Sequence, residues 1–403
     1  MSRALYIHTL PTPPFGLRGT RKLGLHWDYR SVCYNNIMDD EKKYWVALST
    51  HQKIGARTFL KLYKRFKNLA KVWDASRESL ARAGLDLGQI EAVEEVIKSK
   101  NPDKELGKLE KYQVKVLIYP DKNYPRLLKE IPDPPGLLYI KGEILPQDEL
   151  ALAVVGSRKF TPYGQRATEY LVEPLAQRKI TIVSGLALGI DALAHHAALE
   201  AGGRTIAVLG CGLDQVYPIS NIRLADKILQ GNGAIISEFP LGMPALKFNF
   251  PIRNRIIAGL SLGTLVIECA EGSGSLLTAA SALDYNREVF AVPGAIFSET
   301  AFGTNRLIKM GAKMVTSYED ILDELEIEEK KEFQKARQII PDSHEEEILL
   351  KLLREPRLVD VVVEKSGFSA SVVNATLIQM EMKGKISNLG GTRYEIKGKL
   401  KEC

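Results

Sequence analysis

The chain has 403 residues, 45% of them hydrophobic and 26% charged. That composition excludes a mostly disordered or collagen-like chain and allows about two to three domains with a sizeable core. The net charge of +6 is a mild surplus, no apolar run reaches the roughly 18–20 residues of a membrane span, and the chain is expected to be soluble. Cys33, Cys211, Cys269 and Cys403 stand far apart without a CxxC pair, which argues against a disulfide framework or a cysteine zinc site and for a reducing cytoplasm.

Residues 1–37 carry Arg3, Arg18, Arg21, Lys22 and Arg30 against one acid, Asp28. A transit peptide is also basic and acid-poor, but Pro11, Pro13 and Pro14 interrupt any amphipathic helix. The stretch reads as a disordered or over-extended N-terminus ahead of Met38. Residues 39–115 read as short helices, because Trp45, Leu48 and Ile54, then Phe59, Leu62, Phe66 and Leu69, recur near helical spacing. Between Ala56 and Lys71 the basic residues Arg57, Lys61, Lys64, Arg65, Lys67 and Lys71 have no acid among them. The segments KIGARTFLKLYKRFKNLAKVW and SRESLARAGL look like helix–hairpin–helix or SAM-like modules, in which a glycine turn offers backbone N–H groups to a phosphate. A solvated basic face on a helical bundle explains the same residues equally well.

From 116 to about 150 the chain is proline-punctuated, with two short strands, and reads as a lead-in packed on the next domain. Six apolar runs then alternate with helical stretches up to residue 326: LALAVVG, ITIVSG, RTIAVLG, GAIISE, GTLVIE and EVFAVPG. Near-continuous apolar strands separated by helices predict an α/β, Rossmann-like, doubly wound and mostly parallel sheet over 116–326. An acid-rich stretch from Glu319 to Glu332 runs into a linker, 327–341. Residues 342–397 give three helices and a glycine-turn hairpin, the order of a winged helix. Its presumptive recognition helix, Ser369 to Met382, has no lysine or arginine.

In such a sheet, ligands bind beyond the carboxyl ends of the strands. The loops there are Gly156-Ser157-Arg158-Lys159, Ser184-Gly185, Gly210-Cys211-Gly212, and Glu271-Gly272-Ser273-Gly274-Ser275, the last opening a helix whose N-terminus attracts anions. Between strands four and five lies Lys247-Phe248-Asn249-Phe250-Pro251-Ile252-Arg253-Asn254-Arg255, with Pro251 expected at the first helical position. Cations, helix N-termini and aromatics together suit phosphates with a base to stack. One of Arg253 and Arg255 is as readily a partner for Glu238 or Glu268. Of Phe248 and Phe250, one is expected in the core and one exposed. His195 and His196 lie in an alanine-rich helix without a ligand cluster, so packing or a hydrogen bond outweighs metal binding, and neither metal nor cofactor is expected.

The motifs GSR, SGLALGID, GCGLDQVYP, SEFPLGMPALKFNFPIRNRIIAGLS, VIECAEGSGSLLTAASA, NREVFAVPG and GTNRLIKMGA, in this order over about 150–316, resemble the DNA-processing protein A family (DprA, also called Smf). The helical module and the winged helix match the arrangement in many members. The resemblance implies a cytoplasmic, non-catalytic homodimer that binds single-stranded DNA and helps load the RecA recombinase during natural transformation. It places Arg158 and Lys247 on phosphate and Phe250 on a base. Gly156, Ser157, Ser184 and Gly185 line the pocket, and Lys159, Asn249, Arg253, Asn254, Gly274 and Ser275 are further DNA-binding candidates. It also implies a dimer interface through Asn305, Ile308 and Met314, where the adjacent Leu307 and Ile308 cannot both face the sheet.

The rival is a nucleotide-binding sensor or an enzyme resembling the phosphoribohydrolases, whose PGGxGTxxE motif supplies a catalytic glutamate. Thr278 stands where that glutamate would be and has no carboxylate. The first turn, GSRKF, also lacks the GxGxxG of a dinucleotide site.

Overall fold

The computed structural model describes residues 41–327, 338–339, 341–353, 355–383, 385–388, 392–396 and 399–400. The basic stretch 1–37 and most of the linker 327–341 lie outside the described residues.

Helices open the described chain: α1 (41–49), α2 (Ala56–Phe66), α3 (Arg77–Arg82), α4 (Leu87–Ser99) and α5 (Pro102–Lys111). Local chemistry starts three of them. Ser76 accepts from the amide of Ser79, Asp86 and Gln89 form a capping box, and Asn101 caps α5 with Pro102 at its first position. Their inner faces bury Trp45, Leu48, Phe59 and Leu62, the turn after α2 adds Leu69, and Trp45 stacks on Phe59 at a centroid distance of 5.3 Å. This core does not close on itself. It runs on into Leu137, Tyr139, Leu209 and Ile235 of the sheet, and the hydroxyls of Ser49 and Tyr139 meet inside it at 2.6 Å. The module is thus bound to the sheet by shared apolar burial, and a hydrogen bond fixes its register.

The sheet contains β1 (Lys115–Ile118), β2 (Leu137–Gly142), β3 (Ala151–Val155), β4 (Thr181–Ser184), β5 (Thr205–Leu209), β6 (Ala234–Ser237), β7 (Gly263–Val266), β8 (Glu288–Ala291) and β9 (Lys313–Met314). Its helices are α6 (Arg126–Lys129), α7 (Pro162–Gln177), α8 (Ile190–Glu200), α9 (Ile222–Gln230), α10 (Asn249–Gly259), α11 (Gly274–Asp284), α12 (Phe302–Lys309) and α13 (Glu319–Glu324). The strand order is β1-β2-β6-β5-β4-β3-β7-β8-β9. Strands β3 to β9 pair in parallel, while β2 joins β6 and β1 joins β2 antiparallel. The six apolar runs of the sequence are β3 to β8. The first five of these are buried along their whole length, as a sheet covered on both faces requires. The chain steps outward from β3 to β6, and α10 then carries it back across β3 to lay down β7. Loops from four neighbouring strand ends are thereby brought to one rim.

After β10 (Gln338–Ile339) come α14 (His344–Leu352), β11 (Arg357–Leu358), α15 (Val359–Ser366), α16 (Ala370–Met382), β12 (Ile386–Asn388), β13 (Arg393–Ile396) and β14 (Lys399–Leu400). The three helices close on Leu349, Leu353, Val362, Val373, Leu377 and Met380, and β11-β13-β12 forms the wing sheet. Helix α15 begins only at Val359, because Arg357 and Leu358 before it pair with β13. No helix among the described residues is long and apolar enough to cross a membrane.

Candidate nucleic-acid interface

The rim beyond β3, β4, β5 and β6 gathers the predicted residues, with different fates for each. In the loop after β3, the Ser157 hydroxyl donates to the carbonyl of Lys159 (2.7 Å) and accepts from its amide (3.0 Å). This tight turn leaves Arg158 and Lys159 exposed. The carbonyl of Ser157 accepts from the amide of Ile190 (3.1 Å), which locks the loop onto the start of α8. Gly189 makes that approach possible. It has φ +85°, and a Cβ there would collide with the Ser157 carbonyl.

Lys247 is exposed and forms no ion pair among the described residues. Three residues on, Phe250 is half-buried at the head of α10. The guanidinium of Arg158 and the ring of Tyr217 each stand 5.7 Å from the Phe250 ring centroid. Tyr217 is 48% exposed and was not singled out by sequence reasoning. Its signal was an aromatic just before a proline in the loop after the third parallel strand. The helix opens at Asn249, two residues ahead of the expected start at Pro251. Phe248 precedes the first turn and Phe250 lies in it, and neither belongs to the core: Phe248 is 56% exposed and Phe250 half-buried.

Four candidates are internal and do not face a ligand. Asn249 is buried, and its Nδ2 donates to the carbonyls of Gly210 (3.0 Å) and Pro244 (3.2 Å). Ser184 is buried and donates to the carbonyl of Val154 at 2.6 Å, tying β4 to β3. Ser275 is buried in the first turn of α11, its hydroxyl 2.8 Å from that of Ser273. Arg253 is the largest correction. Its Nη1 donates to the carbonyls of Gly185 (2.7 Å) and Val208, so the guanidinium bolts together the ends of β4 and β5. Gly185 leaves room for the guanidinium, since a Cβ there would run into that Nη1 and push it off these carbonyls. Asp191, also buried, accepts from the Gly185 amide (3.1 Å). Burial draws the Arg253 pKa down to about 10, which still leaves it charged at neutral pH, opposed by the nearby Asp191. Burial likewise pushes the Asp191 carboxyl up, against the pull of Arg253.

Arg255 takes the structural role weighed in the sequence, pairing with Glu238 and Asp133. Glu268 has another task. It accepts from the Thr161 amide (2.9 Å) and hydroxyl (2.6 Å) at the start of α7, where the helix dipole offsets its charge. Asn254 reaches the Gly274 carbonyl (3.3 Å) and ties α10 to the exposed N-terminus of α11. His195 is buried with Nδ1 2.6 Å from the Thr205 hydroxyl. Among the described residues no three His, Cys, Asp or Glu side chains gather as a metal would need. The accessible residues are thus Arg158, Lys159, Lys247, Phe250 and Tyr217, with Arg253, Asn249 and Ser184 as the frame beneath.

Known proteins are similar to this chain over the same region. Residues 334–392 match the DprA winged helix domain. The chain is 35% identical to Protein Smf of Synechocystis over 404 residues, covering 89% of this chain and 100% of that one. It is 43% identical to Protein Smf of Escherichia coli, covering 66% of this chain and 74% of the relative. The crystal structure of DNA processing protein A from Streptococcus pneumoniae superposes with a TM-score of 0.60 at 36% identity, covering 70% of this chain and 96% of that one. Residues 115–326, the sheet with every loop of the rim, match the DNA recombination-mediator protein A family, and the chain belongs to that family.

Proposed function

We propose that this chain is a cytoplasmic, non-catalytic mediator of recombination that binds single-stranded DNA, protects it and helps load the RecA recombinase onto it. The observation that carries this reading is the grouping of Arg158, Lys247 and Phe250 on one rim: two exposed cations and an aromatic face. Such a set grips a flexible backbone and stacks a base without selecting its sequence. A duplex, whose bases are already stacked, offers Phe250 nothing. The enzyme alternative lacks its acid, since Thr278 is buried in α11 and has no carboxylate.

The chain acts as a homodimer in this proposal, through α12 and β9. The winged helix plays an auxiliary part, because α16 exposes Val372, Ile378 and Met382 and no cation. Equilibrium binding of oligo-dT against mononucleotides tests the central claim. Tight oligo-dT binding with no detectable mononucleotide affinity is expected; the reverse order would make the protein a nucleotide sensor.

A further inference from the structure

The helical module and the sheet domain do not meet flush at the rim. Between the start of α2 and the head of α10 lies a groove of about 410 Å³. Its helical wall contains Lys53 and Arg57, both exposed and neither in an ion pair among the described residues. Gly55 caps α2 without a side chain, and the first turn has no acid. The opening amides of an 11-residue helix are therefore left to attract an anion.

The opposite wall contains Phe248 and Ile252, both substantially exposed, and behind them Arg255. Arg255 is only 7% exposed, and its Nη1 has no hydrogen-bond partner. Buried donors are normally satisfied, so this one marks a wall short of an acceptor. The carboxylates of Glu238 and Asp133 also line the groove, but both are engaged by Arg255. Phe248 follows Lys247 directly and precedes Phe250 by two residues, so the groove continues the rim.

We infer that this groove is a second subsite for single-stranded nucleic acid, seating a phosphate between Lys53, Arg57 and the amides of α2, and a base on Phe248. The inference rests on the reading of Arg158, Lys247 and Phe250 as the first seat of the strand. It gives the basic helical module a task, since α2 continues the positive stripe through Lys61, Lys64 and Arg65. Only a strand long enough to leave the first seat reaches it.

The test is fluorescence anisotropy on the full chain with oligo-dT of increasing length, from about six to about twenty nucleotides. Affinity is expected to rise with length. The double variant Lys53→Gln, Arg57→Gln should bind the shortest oligomer as the parent does, bind the longest about tenfold more weakly, and lower its salt slope by about 0.7, for the one phosphate it no longer holds. Phe248→Ala should lose length-dependent affinity without a change in slope, and Phe248→Tyr should restore it. The groove is overturned if affinity stops rising beyond the shortest oligomer, or if these variants weaken short and long strands equally. A parent chain that binds no oligo-dT of any length overturns both the first seat and the groove, whereas a length-independent parent overturns the groove alone.

Discussion

The guanidinium of Arg158, on the loop after β3, stands 5.7 Å from the ring centroid of Phe250 at the head of α10. The two residues lie in different βα units, and their meeting creates a site with a charge on one side and a π-face on the other. A cation beside a ring gains about 0.5–1 kcal/mol when exposed, which holds Arg158 over the ring until a phosphate claims it. In the proposed function that phosphate is a strand's, and the ring it leaves is offered to a base.

Phe250→Ala is expected to weaken oligo-dT binding by about 1–3 kcal/mol, the range of one base stack, with the salt slope unchanged. Phe250→Tyr should keep most of the affinity. Because Phe250 packs on Tyr217 and Gly210, the variants are compared by thermal unfolding first. A Phe250→Ala chain that is folded and binds normally would remove the stacking role.

The exposed cations of the first seat are Arg158, Lys159 and Lys247. On a short oligomer they predict a slope of log K against log salt of about −2, at roughly 0.7 per phosphate. Arg158→Ala with Lys247→Ala should reduce it to about −0.7 and weaken binding to every sequence alike. Unchanged oligo-dT affinity in that double variant would reject the assignment.

Arg253 was expected at the surface and lies inside. Its acceptors, Gly185 and Val208, are 68 and 45 residues away in sequence, so no local pattern marks them. The parallel strands were legible because burial on both faces leaves an apolar run with nothing to alternate. The antiparallel seating of β2 against β6 was not, since a six-residue strand says nothing of its partner. Helix α10 starts at Asn249 and not at Pro251, and the side chain of Asn249 is held by the distant carbonyl of Gly210, which no local pattern marks. The short strand β11 was lost for a simpler reason: two residues have no period. Tyr217 became visible only when the fold brought it to Phe250.

Arg253→Met therefore acts on stability before it acts on DNA. It strips two strand-end carbonyls of their donor and leaves Asp191 buried without its opposing charge. Leaving a buried charge without the one that opposes it costs about 3–5 kcal/mol, against about 0.5 kcal/mol or less for an exposed change such as Arg158→Ala. Urea midpoints of the two variants decide the matter; equal midpoints would return Arg253 to the surface.

His195 gives the fold an acid sensitivity of its own. Burial draws its pKa down to about 3, so the folded chain refuses a proton that the unfolded chain accepts below about pH 6.5. The unfolded state then binds more protons, and stability falls as pH drops from about 6.5 toward 3, by about 1.4 kcal/mol per pH unit. His195→Asn retains a polar partner for Thr205 and has no such proton. Urea unfolding should show the parent losing about 2 kcal/mol relative to this variant between about pH 6.5 and pH 5. A pH-independent difference would mean that His195 takes up its proton in the folded state.

The last element of the sheet bears on how many strands one particle can hold. Leu307 turns into the core while Ile308 is only partly covered, as two adjacent helical positions require. Helix α13 covers Val315 by burying Ile321 and Leu322 beside it. It does not reach Met310 and Met314, which remain 70% and 50% exposed. Strand β9 is the outermost of the sheet. Asn305 is less available than expected, since its side chain holds the backbone of Gly294 at 3.2 and 3.0 Å. An apolar, adaptable patch beside an open strand edge suits a self-complementary two-fold contact. Ile308→Glu is expected to give a folded monomer by light scattering that still holds one strand but bridges two poorly. Met314→Glu, at a more exposed position, should do the same without straining the core, and it decides the case if Ile308→Glu fails to fold. A parent chain that is monomeric at tens of micromolar would remove the dimer, and a Met314→Glu variant that remains dimeric would place self-association elsewhere on the protein.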